Sequence, residues 1–186
     1  MSRLLLGLER LLNGITSLAG WISGFSMVAM ILLIFGNMAA RYLLGMGAVW
    51  LQELEWYLLS LSVMTGISYA MRYDEHVRVD VFSHHFSRVG KLWLDAITMV
   101  LVAIPASVLI AHYGWPFMET SFTRGEGSPN AGGMPWLFLP KLMIIIGFIL
   151  IAAESLRQAL RAGRRLTFHY RASARRRILE HRRHAA

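Results

Sequence analysis

Residues 11–40 contain no charged side chain. An apolar stretch of that length needs a surrounding as apolar as itself, with every backbone N–H and C=O bonded internally. A helix crossing a bilayer meets both demands, and one crossing takes about 20 mostly apolar residues. Three later stretches meet or approach the same standard. Spans are therefore expected at about 16–38, 54–71, 96–118 and 134–154. The second is short of uncharged residues, so Glu55 is read at its watery end. Lys141 falls inside the fourth. Hydrophobic residues make up 55% of the chain and mean hydropathy is +0.46, against roughly 45–50% apolar for soluble domains. The first apolar run is about twice the ~7–15 residues of a signal-peptide core, which argues for a span. The chain is expected to be an all-α integral membrane protein with four transmembrane helices. An N-terminal segment covers 1–15, the membrane domain 16–156 and a basic tail 157–186.

Orientation follows from the basic residues, which concentrate in cytoplasmic loops. Counted in chain order, the odd polar segments hold Arg3 and Arg10, then Arg72, Arg78, Arg88 and Lys91, then ten arginines from Arg157 to Arg183. The even segments hold Arg41 and Arg124. Both termini are thus expected in the cytoplasm, with the loops 41–53 and 119–133 outside. Trp50, Trp56, Tyr57, Trp115 and Trp136 read as an aromatic belt at the outer interface. The tail has no nucleic-acid-binding motif beside its charge. It is expected on anionic phospholipid, where each basic residue near the surface contributes about 1 kcal/mol. No nucleic-acid partner is expected.

Ionisable groups inside a membrane are functional candidates. Lys141 could bind an anion, pair with a carboxylate or snorkel to headgroups; a structural role is favoured. Glu154 has Arg157 three residues on and is read as a local pair. Glu53 and Glu55 open the second span, where a helix N-terminus favours negative charge. Pro105 is expected to kink the third span. Gly20, Gly24, Gly36 and Gly66 would let helices approach closely.

Between the second and third spans the chain turns abruptly polar. His76, Asp80 and His84 would share one face of a helix and, with His85, could suggest a metal. The alternation of Val77, Val79 and Val81 with polar groups fits an extended segment equally well, and that would scatter them. The favoured reading is an interfacial elbow with local charge pairing and no metal. Two facing intramembrane histidines for haem are absent, His112 being alone within a span. No nucleotide loop, nucleophile motif or catalytic carboxylate pair appears, so an enzyme is not expected and no cofactor is assigned.

Several of these residues occur in a recognisable order. Asn37, Arg41 and Tyr42, then Trp50 and Glu53, then Gly66 and Ala70, precede His76, Arg78 and Asp80 in "HVRVD". Gly125, Glu126, Ser128, Gly133, Pro135 and Lys141 follow. This pattern resembles the small membrane subunit of tripartite ATP-independent periplasmic (TRAP) transporters, over about Arg10 to Arg161. Met134 stands where that family commonly has leucine, and the arginine tail lies outside the resemblance. The resemblance implies a small scaffold subunit in the bacterial inner membrane. Its partners would be a large permease subunit, which carries the sodium and substrate sites and moves as an elevator, and a periplasmic solute-binding protein delivering an organic acid-type solute. Asn37, Arg41, Trp50, Glu53, Arg72, His76, Arg78, Asp80, Glu126 and Lys141 become candidate structural or partner-contact residues. The competing reading is a stand-alone four-helix transporter or channel. Spans with almost no internal polar groups, and Lys141 as their one deep charge, favour a wall over a pathway.

Overall fold

The computed structural model describes residues 3–73 and 87–184, with side chains at 6–73, 87 and 89–170. All regular structure among these residues is helical: α1 (Arg3–Leu44), α2 (Val49–Arg72), α3 (Arg88–Thr98), α4 (Ile104–Thr123) and α5 (Phe138–His184). A π-helical turn, Met99–Ala103, joins α3 to α4. Pro105 stands at the start of α4. It has no N–H to give to the preceding turn and its ring crowds the carbonyl there. The widened π turn sits where that conflict falls, so the irregularity expected at Pro105 lies just before it. α1 stops at Gly45, whose φ of 65° suits a residue without Cβ.

Among the described residues, three helices are long and apolar enough to cross a membrane: Leu6–Leu44, Val89–Thr123 and Phe138–Tyr170. α2 has the length, 24 residues, but its two glutamates and its serines and threonine dilute its hydropathy. At 1.5 Å per residue, the 33 residues of Phe138–Tyr170 extend roughly 50 Å, well past a hydrocarbon core of about 30 Å. The helix expected at 134–154 begins four residues later and continues without a break through the basic segment.

α2 lies between α1 and α5, and the α3–π–α4 rod packs on α5. α5 adjoins every other helix. The contacts are inverted relative to a soluble bundle. Thr16, Ser62, Thr65, Ser68, Ser107 and Ser155 are buried, whereas Trp21, Phe25 and Phe35 are 81%, 77% and 73% exposed. Lipid removes the drive to bury large apolar groups, so helix contacts select small and hydroxyl residues. The expectation of almost no internal polar groups is therefore corrected. The hydroxyls escape a hydropathy count because several bond their own helix: Thr65 Oγ1 donates to the Leu61 carbonyl at 2.7 Å, and Ser107 Oγ to that of Ala103 at 2.7 Å. Others cross between helices, as Ser23 Oγ does to the Ser62 carbonyl at 2.8 Å. Of the four glycines singled out, Gly20 faces Tyr69 and Gly66 faces Ser23, while Gly24 and Gly36 face open space. Gly147 lets α5 approach α2: a Cβ there would come within 2.8 Å of Met64 Cβ.

Candidate functional site

Polar side chains gather at the two ends of the bundle. At one end the loop between α4 and α5 folds over the start of α2. Gly125 and Gly132 take φ of 60° and 78°, turning the chain where an L side chain would strain it. Ser128 N–H donates to the Met134 carbonyl at 2.8 Å and Gly133 N–H to that of Asn130 at 3.0 Å. The Glu53 carboxylate fills the resulting cup. It accepts from Ser128 Oγ, from Asn130 Nδ2 at 3.0 Å and from Met134 N–H at 2.6 Å. Gly133 must lack a side chain, since a Cβ would stand 2.8 Å from Glu53 Oε1.

The same loop holds Lys141. Its Nζ lies 2.6 Å from Glu126 Oε2 and 4.1 Å from the centre of the Phe117 ring. The Lys141 ammonium is the first cause holding the Glu126 carboxyl below its ordinary range. Lys141 is in the first turn of α5, near the Glu53 end, not deep in a span. The helix begins at Phe138 rather than at 134, which brings Lys141 to its start.

At the other end lies the pair Glu154 and Arg157, 0% and 1% exposed. Arg157 Nε donates to Glu154 Oε2 at 2.8 Å and Nη2 to Oε1 at 2.5 Å. Thr16 Oγ1 of α1 donates to Glu154 Oε2 at 3.0 Å, and Gln158 Nε2 to Oε1 at 3.2 Å. The second hydrogen of that amide reaches the Met71 carbonyl of α2 at 2.7 Å. The pair is local in sequence, yet it is also the knot joining α1, α2 and α5. Arg72 Nη1 donates to Ser17 Oγ at 2.5 Å, and Arg164 Nη1 lies 2.8 Å from Glu9 Oε2.

The remaining candidates are spread out. Asn37 is buried and its Nδ2 donates to Glu55 Oε1 at 3.2 Å, linking α1 to α2. Arg41 lays its guanidinium against Gly47, and Trp50 is 47% exposed. His76, Arg78 and Asp80, with His84 and His85, lie outside the described residues. Among the described residues no cluster of metal-ligating side chains forms. Thr16, Ser17 and Gln158 were missed as partners. Thr16 and Ser17 sit one helix away from the groups they serve, and so does Gln158 from the Met71 carbonyl; spacing along one helix carries no trace of that, although Gln158 follows Glu154 at i+4.

Comparison with known proteins matches residues 30–165 to the family described as tripartite ATP-independent periplasmic transporters, DctQ component. Over 147 residues the chain is 26% identical to the sialic acid TRAP transporter permease protein SiaT of Haemophilus influenzae (strain 86-028NP). The match takes in 76% of this chain and 23% of that protein, so the chain spans less than a quarter of its relative's length.

Proposed function

Because the chain belongs to the DctQ family of TRAP transporters and is its small, multi-pass inner-membrane permease subunit, we propose that it acts as a static scaffold. On this reading it crosses the membrane four times, α2 included, with both termini in the cytoplasm and the Glu53 cup facing the periplasm. It works with a large permease subunit that binds sodium and solute, and with a periplasmic protein that delivers an organic acid-type solute. Sialic acid belongs to the name of the relative; the solute of this system is assigned only by class. The subunit itself catalyses no reaction.

One observation carries the reading. The polar groups between the helices are mostly spent on each other or on their own backbones: Glu154 on Thr16, Arg157 and Gln158, Ser23 on Ser62. Groups so engaged are poor ligands for a passing solute, whereas the apolar outer faces, with Phe25 and Phe35, suit lipid and a second membrane protein. The test is purification of the tagged chain from its native membrane, followed by reconstitution. A large permease should co-purify at fixed stoichiometry, and sodium-driven uptake should require both subunits and the binding protein. Uptake of an organic acid by this chain alone in liposomes would replace the scaffold reading with the stand-alone transporter.

A further inference from the structure

At the end opposite the Glu53 cup, a small cavity of about 80 Å³ opens between α2, α3 and α5. Arg72, Arg157, Arg161 and Arg165 line it, with Asp95, Gln158 and an apolar floor of Leu92 and Ala162. The cations outnumber the acids, and their charges are not equally spoken for. Arg157 is neutralised by Glu154. Asp95 has an interaction of its own. Among the described residues, Arg72 bonds the neutral Ser17 hydroxyl and lies 5.6 Å from the Tyr73 ring centre. Arg161 and Arg165 make no ion pair among the described residues. Arg72, Arg161 and Arg165 thus face one cavity whose lining carries Asp95 as its carboxylate, so positive charge is in excess there.

The surroundings define what the anion should look like. Tyr73, beside the lining residue Arg72, and Trp93, next in sequence to the lining residue Leu92, are 52% and 49% exposed, the kind of amphipathic ring found at headgroup depth. Leu94, Ile97, Val100 and Leu101 of α3 and the π turn are 45% to 69% exposed. Guanidinium groups suit phosphate because their paired N–H donors match its oxygens, and basic cavities between spanning helices are suited to anionic headgroups.

We propose that the Arg72–Arg161–Arg165 cavity binds the phosphodiester headgroup of an anionic phospholipid of the adjoining leaflet. The site is separate from the general attraction of the arginine tail, because it uses a walled cavity and three specified residues. Its occupancy does not depend on the scaffold reading, only on the chain lying in a bilayer.

The test uses the full chain in nanodiscs of phosphatidylcholine alone or with phosphatidylglycerol, comparing the parent with Arg161→Gln/Arg165→Gln. Phosphatidylglycerol should raise the melting midpoint of the parent, and native mass spectrometry should show retained anionic lipid. The double variant should melt like the parent in phosphatidylcholine but retain anionic lipid about thirtyfold less well. A second variant, Arg176→Gln/Arg177→Gln in the tail, should keep the retention; loss there equal to that in the cavity variant would reduce the site to diffuse charge. Equal stability of the parent in both lipids, or full retention by the cavity variant, would overturn the proposal. Inorganic phosphate should not substitute. If it raises the midpoint as far as phosphatidylglycerol does, the ligand is a soluble anion and the lipid assignment falls.

Discussion

Among the described residues, Glu154 and Arg157 form the most deeply buried ion pair. Both are shut away from solvent, and the carboxylate has donors from two helices. Removing one partner from such a pair costs about 3–5 kcal/mol, because the other charge stays buried. Glu154→Gln in the purified complex should therefore lower the thermal midpoint strongly. Glu154→Gln/Arg157→Met should lose less than the two single changes combined, as expected for residues acting together; additive losses would show that they do not. Glu126 is a different case, partly solvated and paired with Lys141. Its folded pKa is depressed, so its contribution is present above the unfolded carboxylate value and lost as pH falls through the folded one. The hydrogen-exchange protection of residues 125–137, measured relative to the intrinsic rate at each pH, should be high near neutrality and fall in acid, below about pH 4. Lys141→Gln should weaken that dependence.

Among the elements, α2 has the least obvious place. It falls short of the apolarity of the three helices that are long and apolar enough to cross a membrane, yet it lies between α1 and α5 and bonds to both. Its hydroxyls point inward, where Ser62, Thr65 and Ser68 are buried, while Trp56 on its outside is 69% exposed. A helix with its polarity hidden against neighbours can sit in lipid at a hydropathy that would be marginal for a lone span. Four crossings require an even topology. Reporter fusions after Ala186 and at Gly127 should report cytoplasm and periplasm respectively, and a pair of fusions reporting the same side would remove α2 from the membrane.

For the molecule as a whole, the proposed division of labour predicts which attachments are harmless. The chain has no cysteine, so single cysteines can be placed at Ser60 or at Leu32, the latter 65% exposed. Crosslinks from either to the static helices of the large subunit should leave sodium-driven uptake largely intact. Crosslinks to its mobile domain should arrest uptake. Loss of uptake from the first kind, with assembly unchanged, would mean that this subunit moves with the solute. Glu9 with Arg164 at one end and Glu53 with the loop at the other tie the helices together at both faces, as a body that does not flex would require.

Much of this was legible along the chain, because a bilayer imposes a one-dimensional rule. The long apolar runs, the basic bias between them and the glycine-rich turn before α5 depend on local composition, and the sequence by itself determines them. The Glu154–Arg157 pair was visible too, being three residues apart. What Glu154 does was not. Its tie to Thr16 joins residues 138 positions apart, as the Glu53 cup joins residues 75 to 81 apart. Such contacts depend on which faces the helices turn to one another, and hydropathy says nothing of that when serine and leucine are both admissible in a span. The same holds for the arginine cavity: the residues read as a charged tail and an elbow, and only the packing of α2, α3 and α5 brings Arg72 beside Arg161 and Arg165. Tertiary structure decided these meetings because in lipid the pairing of helices is set by close fit and hydrogen bonds, not by apolarity, the property that sequence records best.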